Sequence, residues 1–418
     1  MWTSLVVAVL CSTAGSPASP DASPKAVTFA QALRAGDAGP KALALEEAGR
    51  VRREGDAKIS GMPGPLQVGV YPGLRVSPSS ETGPQIQIQV TQPISLSKLG
   101  RTRRRAASAE RDLLSASADA AQLERQLDVA QAWIDAWSLQ QQLDLLHDEA
   151  ETIEASRDAT RKLVDAGERR RDELATADAW NTELKLQAIE LEGQLHHAGL
   201  RLAELVGEEG DEPLLAAGQP PVVQLSSEDL ARLAEGAEDV PAVTVQRLAA
   251  AAARAQEAEL AANAGWVLNV GGMVQVDQPG PAVGVFGQVG VQFPTWGRNA
   301  RGRSAARADA VRLDGEAEEL RRATKRHIRD TLHELEHTQE QRRALDEELI
   351  PALDDVAALE ARSFASGEST TRRVVQARRA TLQARRRMAA LEGQYTWARL
   401  RVWLMHRARE DATSAEAK

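Results

Sequence analysis

The sequence predicts a mainly α-helical protein with a small β part, built from one unit that occurs twice. Residues 367–405 align without a gap on residues 167–205, and both stretches contain Leu-Glu-Gly-Gln, at 191–194 and 391–394. Self-similarity at a fixed spacing indicates a duplicated structural unit. Only 3% of the residues are aromatic and 27% are charged. Such a composition is typical of long solvated helices rather than of a compact core.

Each copy of the repeat carries apolar residues at alternating steps of four and three. These residues are Leu184, Ala188, Leu191, Leu195, Ala198, Leu202 and Leu205 in the first copy, and Ala384, Met388, Leu391, Tyr395, Ala398, Val402 and Met405 in the second. An apolar period of seven residues predicts helices that pack as coiled-coil elements.

The first half of the chain has the order helix, β-hairpin, long helical hairpin. Residues 28–60 have a helical pattern, and residues 65–93 contain two short runs that alternate apolar and polar residues, which predicts a two-faced hairpin ended by Pro93. A helical pattern then runs from about Ser97 to Val164, on the order of 100 Å at 1.5 Å per residue. Residues 167–206 are expected to return antiparallel to it.

The second half repeats this order. A helix is expected over about 227–262, with Pro241 in the place of Pro40. A β-hairpin at 266–294 follows, and then a helical hairpin whose outgoing helix spans about 301–364. The predicted segments are a signal peptide (1–16), a flexible leader (17–27), a first repeat (28–206, with its hairpins at 65–93 and 97–206), a linker (207–226), a second repeat (227–410, with its hairpins at 266–294 and 298–410) and a tail (411–418).

The amino terminus has a short apolar run followed by small residues, as a secretory signal does, although no Lys or Arg precedes the run. Cys11, the only cysteine, ends that run and allows two interpretations. It is removed with the signal, or it carries a lipid anchor, for which Leu10 is larger than the usual preceding residue. No stretch of about 18 apolar residues predicts a transmembrane helix.

Both β-hairpins are expected to have one apolar and one polar face. The apolar set is Leu66, Val68, Val70, Ile86, Ile88, Val90, Trp266, Leu268, Val270, Val274, Val276, Val283, Val285, Val289, Val291 and Phe293, and the polar set includes Gln85, Gln87, Gln89, Asn269, Gln275, Gln288 and Gln292. Such strands occur in sandwiches, in small caps on helical rods and in membrane barrels. Two hairpins cannot close a barrel alone, so a membrane location requires several chains to pool strands. Tyr71, Trp266, Phe293 and Trp296 near the strand ends would then be interfacial aromatics.

The order of helix, β-hairpin and long helical hairpin, duplicated once, resembles the TolC-like outer-membrane efflux channels, and several short motifs support this resemblance. They are Val90-Thr-Gln-Pro-Ile94 followed by Gly100-Arg101, Phe293-Pro294 followed by Gly297-Arg298-Asn299, Ile350-Pro351-Ala352, Ala-Arg-Arg at 377–379, and Gly367 at the start of the returning helix. Within the family, Phe293 to Asn299 with Gly302 is most similar to the cobalt–zinc–cadmium efflux branch. The resemblance implies a homotrimer in the outer membrane of a Gram-negative-type bacterium, whose strands form one twelve-stranded β-barrel continued by a periplasmic α-helical barrel.

The resemblance also implies partners and a role for the ends of the helical hairpins. A periplasmic adaptor (membrane fusion) protein and an inner-membrane pump are the expected partners, beside outer-membrane lipid. Gly167, Glu168, Gly367, Glu368 and Ser369 are expected to contact the adaptor. The family narrows its closed tunnel with carboxylates a few positions after the second-copy glycine, but here these positions hold Arg373 and Gln376. Glu173 is the first-copy equivalent of Arg373, and we expect the two to pair between neighbouring hairpins as a gate.

Other motifs have simpler structural explanations. His333-Glu-Leu-Glu-His337 matches the zinc-protease pattern HExxH, but the surrounding helix is polar all round and no third ligand is evident, so a solvated helix face is expected. His196 and His197 are expected at the surface. Trp133 and Trp137 are expected in helix packing, and the arginines of 372–387 lack the interleaved aromatics of a nucleic-acid site. The sequence therefore predicts no enzyme, no cofactor, no resident metal and no nucleic-acid partner.

Two functions are compatible with these features. The first is a passive export duct for metal cations or drugs, fed by the pump and the adaptor. The second is a periplasmic coiled-coil scaffold without a pore. The alternating strands favour the first.

Overall fold

The computed structural model describes residues 25–37, 39–59, 65–77, 80–223, 225, 240–277, 282–293, 297 and 299–416. The predicted signal peptide, Cys11, Pro294 and Trp296 lie outside these residues, as does most of the helix expected before Pro241.

Two long helical hairpins dominate the described chain. The helices are α1 (Phe29–Gly36), α2 (Pro40–Ile59), α3 (Leu99–Asp165), α4 (Arg171–Val206), α5 (Pro241–Asn263), α6 (Ala300–Ala344), α7 (Ile350–Ala365) and α8 (Thr371–Glu416), with a π-helical segment at Leu345–Leu349 between α6 and α7. α3 and α4 form the first hairpin, and α6 to α8 form the second. α8 continues through most of the stretch predicted as a tail (411–418).

Capping and proline residues determine where several helices begin. Thr28 caps α1 rather than belonging to it, because its hydroxyl accepts the Gln31 amide while the Gln31 side chain accepts the Thr28 amide. Pro40 and Pro241 each begin a helix, where the missing amide hydrogen of proline breaks no hydrogen bond. Both prolines therefore mark equivalent positions in the two halves.

Within the described residues, six strands form two sheets. They are β1 (Ala26–Thr28), β2 (Gln67–Ser77), β3 (Ser80–Ser95), β4 (Leu215–Ala217), β5 (Val267–Asp277) and β6 (Ala282–Gln292). β2, β3, β5 and β6 make one antiparallel sheet in that order, so the two hairpins join through β3 and β5. Thr91 pairs with Gln67, Ile88 with Val274, and Val276 with Val283.

The small second sheet joins the end of the predicted leader (17–27) to the predicted linker (207–226). β1 spans the boundary between the predicted leader and the first repeat, and it pairs in parallel with β4, which lies within the predicted linker. Trp133 of α3 donates its indole N–H to the carbonyl of Val27 at 2.8 Å, and the Gln140 side chain accepts the amide of Ala216 at 3.1 Å. These strands of three residues are too short to produce an alternating pattern, so the sequence gives no sign of them.

Proline positions explain two further differences between the elements predicted from the sequence and those in the structure. β3 extends to Ser95, past the end predicted at Pro93, because beyond the Thr91–Gln67 pair it has a strand neighbour on one side only, where proline is tolerated. The outgoing helix of the second hairpin was expected to be regular from 301 to 364. It instead contains the π-helical turn directly before Pro351, whose nitrogen cannot donate to the preceding turn.

The buried side chains form clusters along the helices. The largest lies where α1, α3, α4, β4 and α8 meet, and Trp133 is fully buried there with Phe29 edge-on to it at 5.4 Å between ring centroids. Trp137 is buried in the same cluster, as expected for packing. A second cluster, with Leu146, Trp180 and Leu184, joins α3 and α4 to the start of α8.

Candidate functional site

The four-stranded sheet has one continuous apolar face. Residues that pair directly across antiparallel strands lie on the same face, and the register pairs Val70 with Ile88, Ile88 with Val274, and Val274 with Val285. The predicted common face of the two hairpins is therefore confirmed.

This apolar face is exposed in the single chain. Val285 is 76% exposed and Val289 is 74% exposed. The other large exposed apolar residues of this face are Val68, Val70, Leu74, Ile86, Ile88, Val90, Ile94, Val270, Val274, Val283 and Val291. Soluble monomers rarely expose contiguous apolar patches of this extent, so the face requires an apolar environment or a partner.

The opposite face carries the glutamines. The Gln89 amide donates to the Thr91 hydroxyl at 3.1 Å and to the Gln288 side chain, which lies two strands away. The intervening position on β5 is Gly271, where an added Cβ would meet the Val90 carbonyl oxygen at 2.3 Å. Glycine there permits both the close strand approach and the glutamine contact across it.

The aromatic residues divide between two locations. Trp266 and Phe293 flank the sheet beside its connection to the helices, edge-on to each other at 4.8 Å between centroids, as expected for residues at a strand end. Tyr71 does not lie at a strand end, because β2 continues beyond it to Ser77. It lies in mid-strand opposite Gln87 on the polar face, with its ring over Gly69, so its predicted place at the strand end is wrong.

The far ends of the helical hairpins are two short turns, named here tip 1 (residues 166–170) and tip 2 (residues 366–370). Gly167 and Gly367 have φ of 75° and 84°, the left-handed conformation that glycine adopts without a steric penalty. The returning helices begin four residues later, at Arg171 and Thr371.

Arg169 joins the two tips within one chain. Its guanidinium donates to the Ser369 carbonyl at 3.0 Å and to the Phe364 carbonyl at 2.9 Å, and it lies over the Phe364 ring at 4.5 Å from the centroid. The side chain is 14% exposed. Arg169 was not among the residues predicted at the tips. The only signal was the run Arg169-Arg170-Arg171, which does not say which guanidinium turns inward.

Glu173 completes this network. Its carboxylate accepts the Thr371 amide at 3.2 Å and the Thr371 hydroxyl at 2.9 Å, and it lies 3.5 Å from Arg169. Its side chain is 13% exposed. Arg373 is exposed instead, so the structure does not form the predicted Glu173–Arg373 pair within the chain. An acid buried beside an unpaired helix amide and an arginine binds those groups rather than a solvated side chain.

The remaining residues predicted at the tips differ in exposure. Glu168, Glu368 and Gln376 are exposed. Ser369 is buried, and its hydroxyl donates to Glu360 of α7. Ser369 therefore contributes to the turn itself rather than to the outer surface.

The histidine motif lies on an exposed helix face. His333 and His337 are exposed with ring centroids 4.3 Å apart, and His337 lies 3.7 Å from Glu340. Within the described ranges, no three His, Cys, Asp or Glu side chains are placed to hold a metal ion. His196 and His197 are exposed on α4.

Arginines of the 372–387 cluster contact other helices of the same chain. Arg379 pairs with Glu183 and lies over the Trp180 ring, and Arg378 lies 3.4 Å from Glu149. Burial raises the pKa of Glu149 above its ordinary value, and Arg378 offsets only part of that increase. These arginines thus pack the two hairpins together.

Among the described residues, no helix has the length and apolar character needed to span a membrane. A search of curated protein sequences finds no match to this chain. The family model described as outer membrane efflux protein matches residues 73–208, which include the end of β2, all of β3 and the first helical hairpin.

Solved structures of outer-membrane channels share the fold over most of the chain. The CmeC outer membrane channel of Campylobacter jejuni is 12% identical, covers 91% of this chain and 85% of its own, and has a TM-score of 0.70. The MtrE outer membrane channel of Neisseria gonorrhoeae is 18% identical, covers 91% and 88%, and has a TM-score of 0.70. CusC is 14% identical, covers 90% and 91%, and has a TM-score of 0.66. The resemblance inferred from the sequence is thereby confirmed, in sequence over residues 73–208 and in fold over most of the chain: this protein is similar to the outer membrane efflux proteins.

Proposed function

We propose that this protein is the outer-membrane channel component of a tripartite efflux system. Three copies join their strands into a twelve-stranded β-barrel in the outer membrane, and their helical hairpins continue it as a periplasmic α-helical barrel. An inner-membrane pump and a periplasmic adaptor protein, which contacts the tips, deliver the substrate. The channel is a passive duct, with no chemistry of its own.

The exposed apolar face of the sheet is the observation that carries this proposal. Backbone groups at an open sheet edge are not tolerated in lipid, and β2 and β6 each have one strand neighbour within the described sheet. Pairing β6 of one copy with β2 of the next satisfies these edges and turns every apolar face outward. The Gln89–Gln288 face then lines the water-filled interior.

Two likenesses support a proposal for the transported substrate. The run Phe293 to Asn299 with Gly302 resembles the cobalt–zinc–cadmium branch, and the fold is shared with CusC. We therefore propose small substrates, either metal cations or drugs, whose selection is made by the pump.

Two arginine substitutions at neighbouring positions of β6 test the membrane location. Val289→Arg puts a charge on the apolar face and is expected to cost about 2–4 kcal/mol at mid-membrane, whereas Gln288→Arg on the polar face is expected to cost little. Cells expressing each variant are fractionated, and the outer-membrane trimer that resists carbonate extraction is quantified. We expect wild-type amounts for Gln288→Arg and strong depletion for Val289→Arg.

Equal effects of the two substitutions would refute the barrel. Recovery of the wild-type protein in the soluble periplasmic fraction would instead support the coiled-coil scaffold without a pore. An outer-membrane trimer that restores no export to cells lacking their own channel would refute the efflux role while leaving the barrel intact.

A further inference from the structure

Exposed basic residues gather at the start of α3 and of α6, next to the four-stranded sheet. Residues 98–107 carry five positive charges and no acid, and residues 300–308 carry three and no acid, although the whole chain has a net charge of −9. All eight basic residues are exposed. Seven of them form no ion pair within the described chain and are named here the basic collar: Lys98, Arg101, Arg104, Arg105, Arg301, Arg303 and Arg307.

The positive charge of the collar is not neutralised by acids of the described chain. Arg103, the eighth basic residue, lies 3.4 Å from Glu259 of α5 and is therefore left out of the collar. Exposed arginines farther along the rod are matched with acids on their own helix. Arg312 lies 2.6 Å from Glu316, for example. The charge of the collar is thus available to an anion from outside the chain.

Basic residues at these positions are unfavourable for the helices themselves. The first turn of a helix carries a partial positive charge, so acids stabilise it and cations destabilise it. Neither α3 nor α6 has an acid in its first turn, and each has an arginine there, Arg101 in α3 and Arg301 in α6. The same departure from helix preference in both halves of the duplicated chain indicates a role outside helix formation.

The apolar face of the sheet ends directly beside the collar. Leu96, Trp266 and Phe293 are 58%, 50% and 61% exposed, and the Leu96 amide donates to the Trp266 carbonyl at 2.9 Å. Aromatic side chains at the ends of membrane strands lie at the boundary between lipid and water. The first seven residues of α3, from Leu99 through the arginines at 101–105, extend only about 10 Å. Lipid headgroups occupy about 5–8 Å beyond the hydrocarbon layer, so the long arginine side chains can reach them.

Arg101 and Arg105 lie on the side of α3 that faces away from its neighbouring helices. Arg103 contacts α5, and Glu110 contacts α2. At 3.6 residues per turn, Arg101 and Arg105 lie about 140–180° around the helix from both of these residues. In a closed ring of helices, the two neighbours of each helix lie partly toward the interior, so the side opposite both faces outward. These two arginines therefore face the outside of the assembly rather than the duct.

We propose that the basic collar binds the phosphate groups of anionic phospholipids in the periplasmic leaflet of the outer membrane. The inference rests on the barrel of the proposed function and adds a lipid partner with a defined headgroup chemistry. A guanidinium group can donate two parallel hydrogen bonds to the oxygens of one phosphate. Each basic residue close to an anionic lipid surface strengthens the attraction roughly fivefold. Bound headgroups neutralise the collar and hold the sheet at a fixed depth in the membrane.

Lipid binding to the purified full-length protein tests the collar. Phosphatidylglycerol and phosphatidylethanolamine with identical acyl chains are added in equal amounts, and the lipids bound to the trimer are counted by native mass spectrometry. The test variant combines Arg101→Gln, Arg104→Gln and Arg105→Gln. Glutamine is a good helix former, and removing cations from a helix start does not destabilise the helix, so this variant is expected to fold.

The wild-type trimer is expected to prefer phosphatidylglycerol. The triple glutamine variant should lose roughly 5- to 25-fold of this preference, because one or two charges beside each headgroup are removed. The matched control combines Arg372→Gln, Arg373→Gln and Arg387→Gln, which removes the same charge from exposed positions of α8 and should keep the preference. Lysine at the three collar positions keeps the charge and should retain most of the preference.

The outcomes separate the collar from the proposed function. A wild-type trimer without headgroup preference, or an equal loss in the control variant, overturns the collar and leaves the channel intact. Complete displacement of phosphatidylglycerol by excess inorganic phosphate assigns the site to free phosphate and overturns the lipid partner. An unchanged lipid preference with altered ion selectivity of the open channel would place the arginines in the duct, which also overturns the collar. A protein that forms no trimer in the outer membrane overturns both proposals.

Discussion

Arg169 is expected to hold tip 1 and tip 2 together, and Arg169→Ala removes that contact. The guanidinium makes two hydrogen bonds to carbonyl groups, at 2.9 and 3.0 Å, and lies 3.5 Å from Glu173. Hydrogen bonds to a charged group contribute about 1.5–3 kcal/mol each. The carbonyls regain water when the tips separate, which offsets part of this contribution. We therefore expect Arg169→Ala to lower the free energy needed to separate the tips by about 2–4 kcal/mol.

Hydrogen exchange measures this opening directly. The Thr371 amide donates to Glu173 and reports whether the tips are in contact. A loss of about 2–4 kcal/mol corresponds to exchange of the Thr371 amide faster by roughly 30- to 1,000-fold, since each 1.4 kcal/mol is a factor of ten. The helices distant from the tips should exchange as in the wild type.

The neighbouring residue provides a matched control. The Arg170 side chain is 83% exposed and lies 3.1 Å from Asp172 at the surface. Exposed pairs contribute about 0–1 kcal/mol, so Arg170→Ala should change tip exchange less than about fivefold. If Arg169→Ala changes the exchange of tip amides no more than Arg170→Ala does, the assignment of Arg169 as the tip contact is refuted.

Two further predictions concern groups away from the tips. Burial raises the pKa of Glu149 in the folded chain, so its contribution to stability is present below the ordinary glutamate pKa and is lost as the pH rises through the raised value. The stability of Glu149→Gln relative to the wild type should therefore increase from acidic to neutral pH in denaturant titrations, and a difference independent of pH would contradict this. His333 and His337 are exposed on one helix, and we expect well under one zinc per purified chain and unchanged export for His337→Ala. Stoichiometric zinc that this substitution abolishes would contradict that expectation.

The elements predicted correctly from the sequence are those with a periodic spacing of apolar residues. The seven-residue apolar period predicted the long helical hairpins, and the alternation of apolar and polar residues predicted the two faces of the sheet. Both patterns arise because one side of a regular element is buried. Turns between these elements were predicted less well. Tyr71 was placed at a strand end because Pro72 and Gly73 resemble a turn, yet β2 continues through them to Ser77.

Contacts between segments distant in the chain were not predictable. β1 and β4 meet through parallel pairing of three residues each, held against α3 by Trp133. The tip network depends likewise on the relative height of the two hairpins, which no local pattern encodes. The repeat identified Glu173 and Arg373 as equivalent positions, but it did not show that Glu173 lies inward against Thr371.

Glu173 and Arg373 therefore provide a final test, because a gate made by their pairing and the observed network predict opposite results. In the structure the Glu173 carboxylate binds Thr371 and Arg169, and Arg373 is exposed. Glu173→Ala should weaken the contact between tip 1 and tip 2 by about 1–3 kcal/mol, because it leaves a buried amide and an arginine without their acceptor. Arg373→Glu should cost less than about 1 kcal/mol. Single-channel conductance of the purified trimer should thus rise for Glu173→Ala and stay unchanged for Arg373→Glu. A conductance raised by Arg373→Glu and restored by adding Glu173→Arg would instead establish the pair between copies and overturn the tip network as the closing contact.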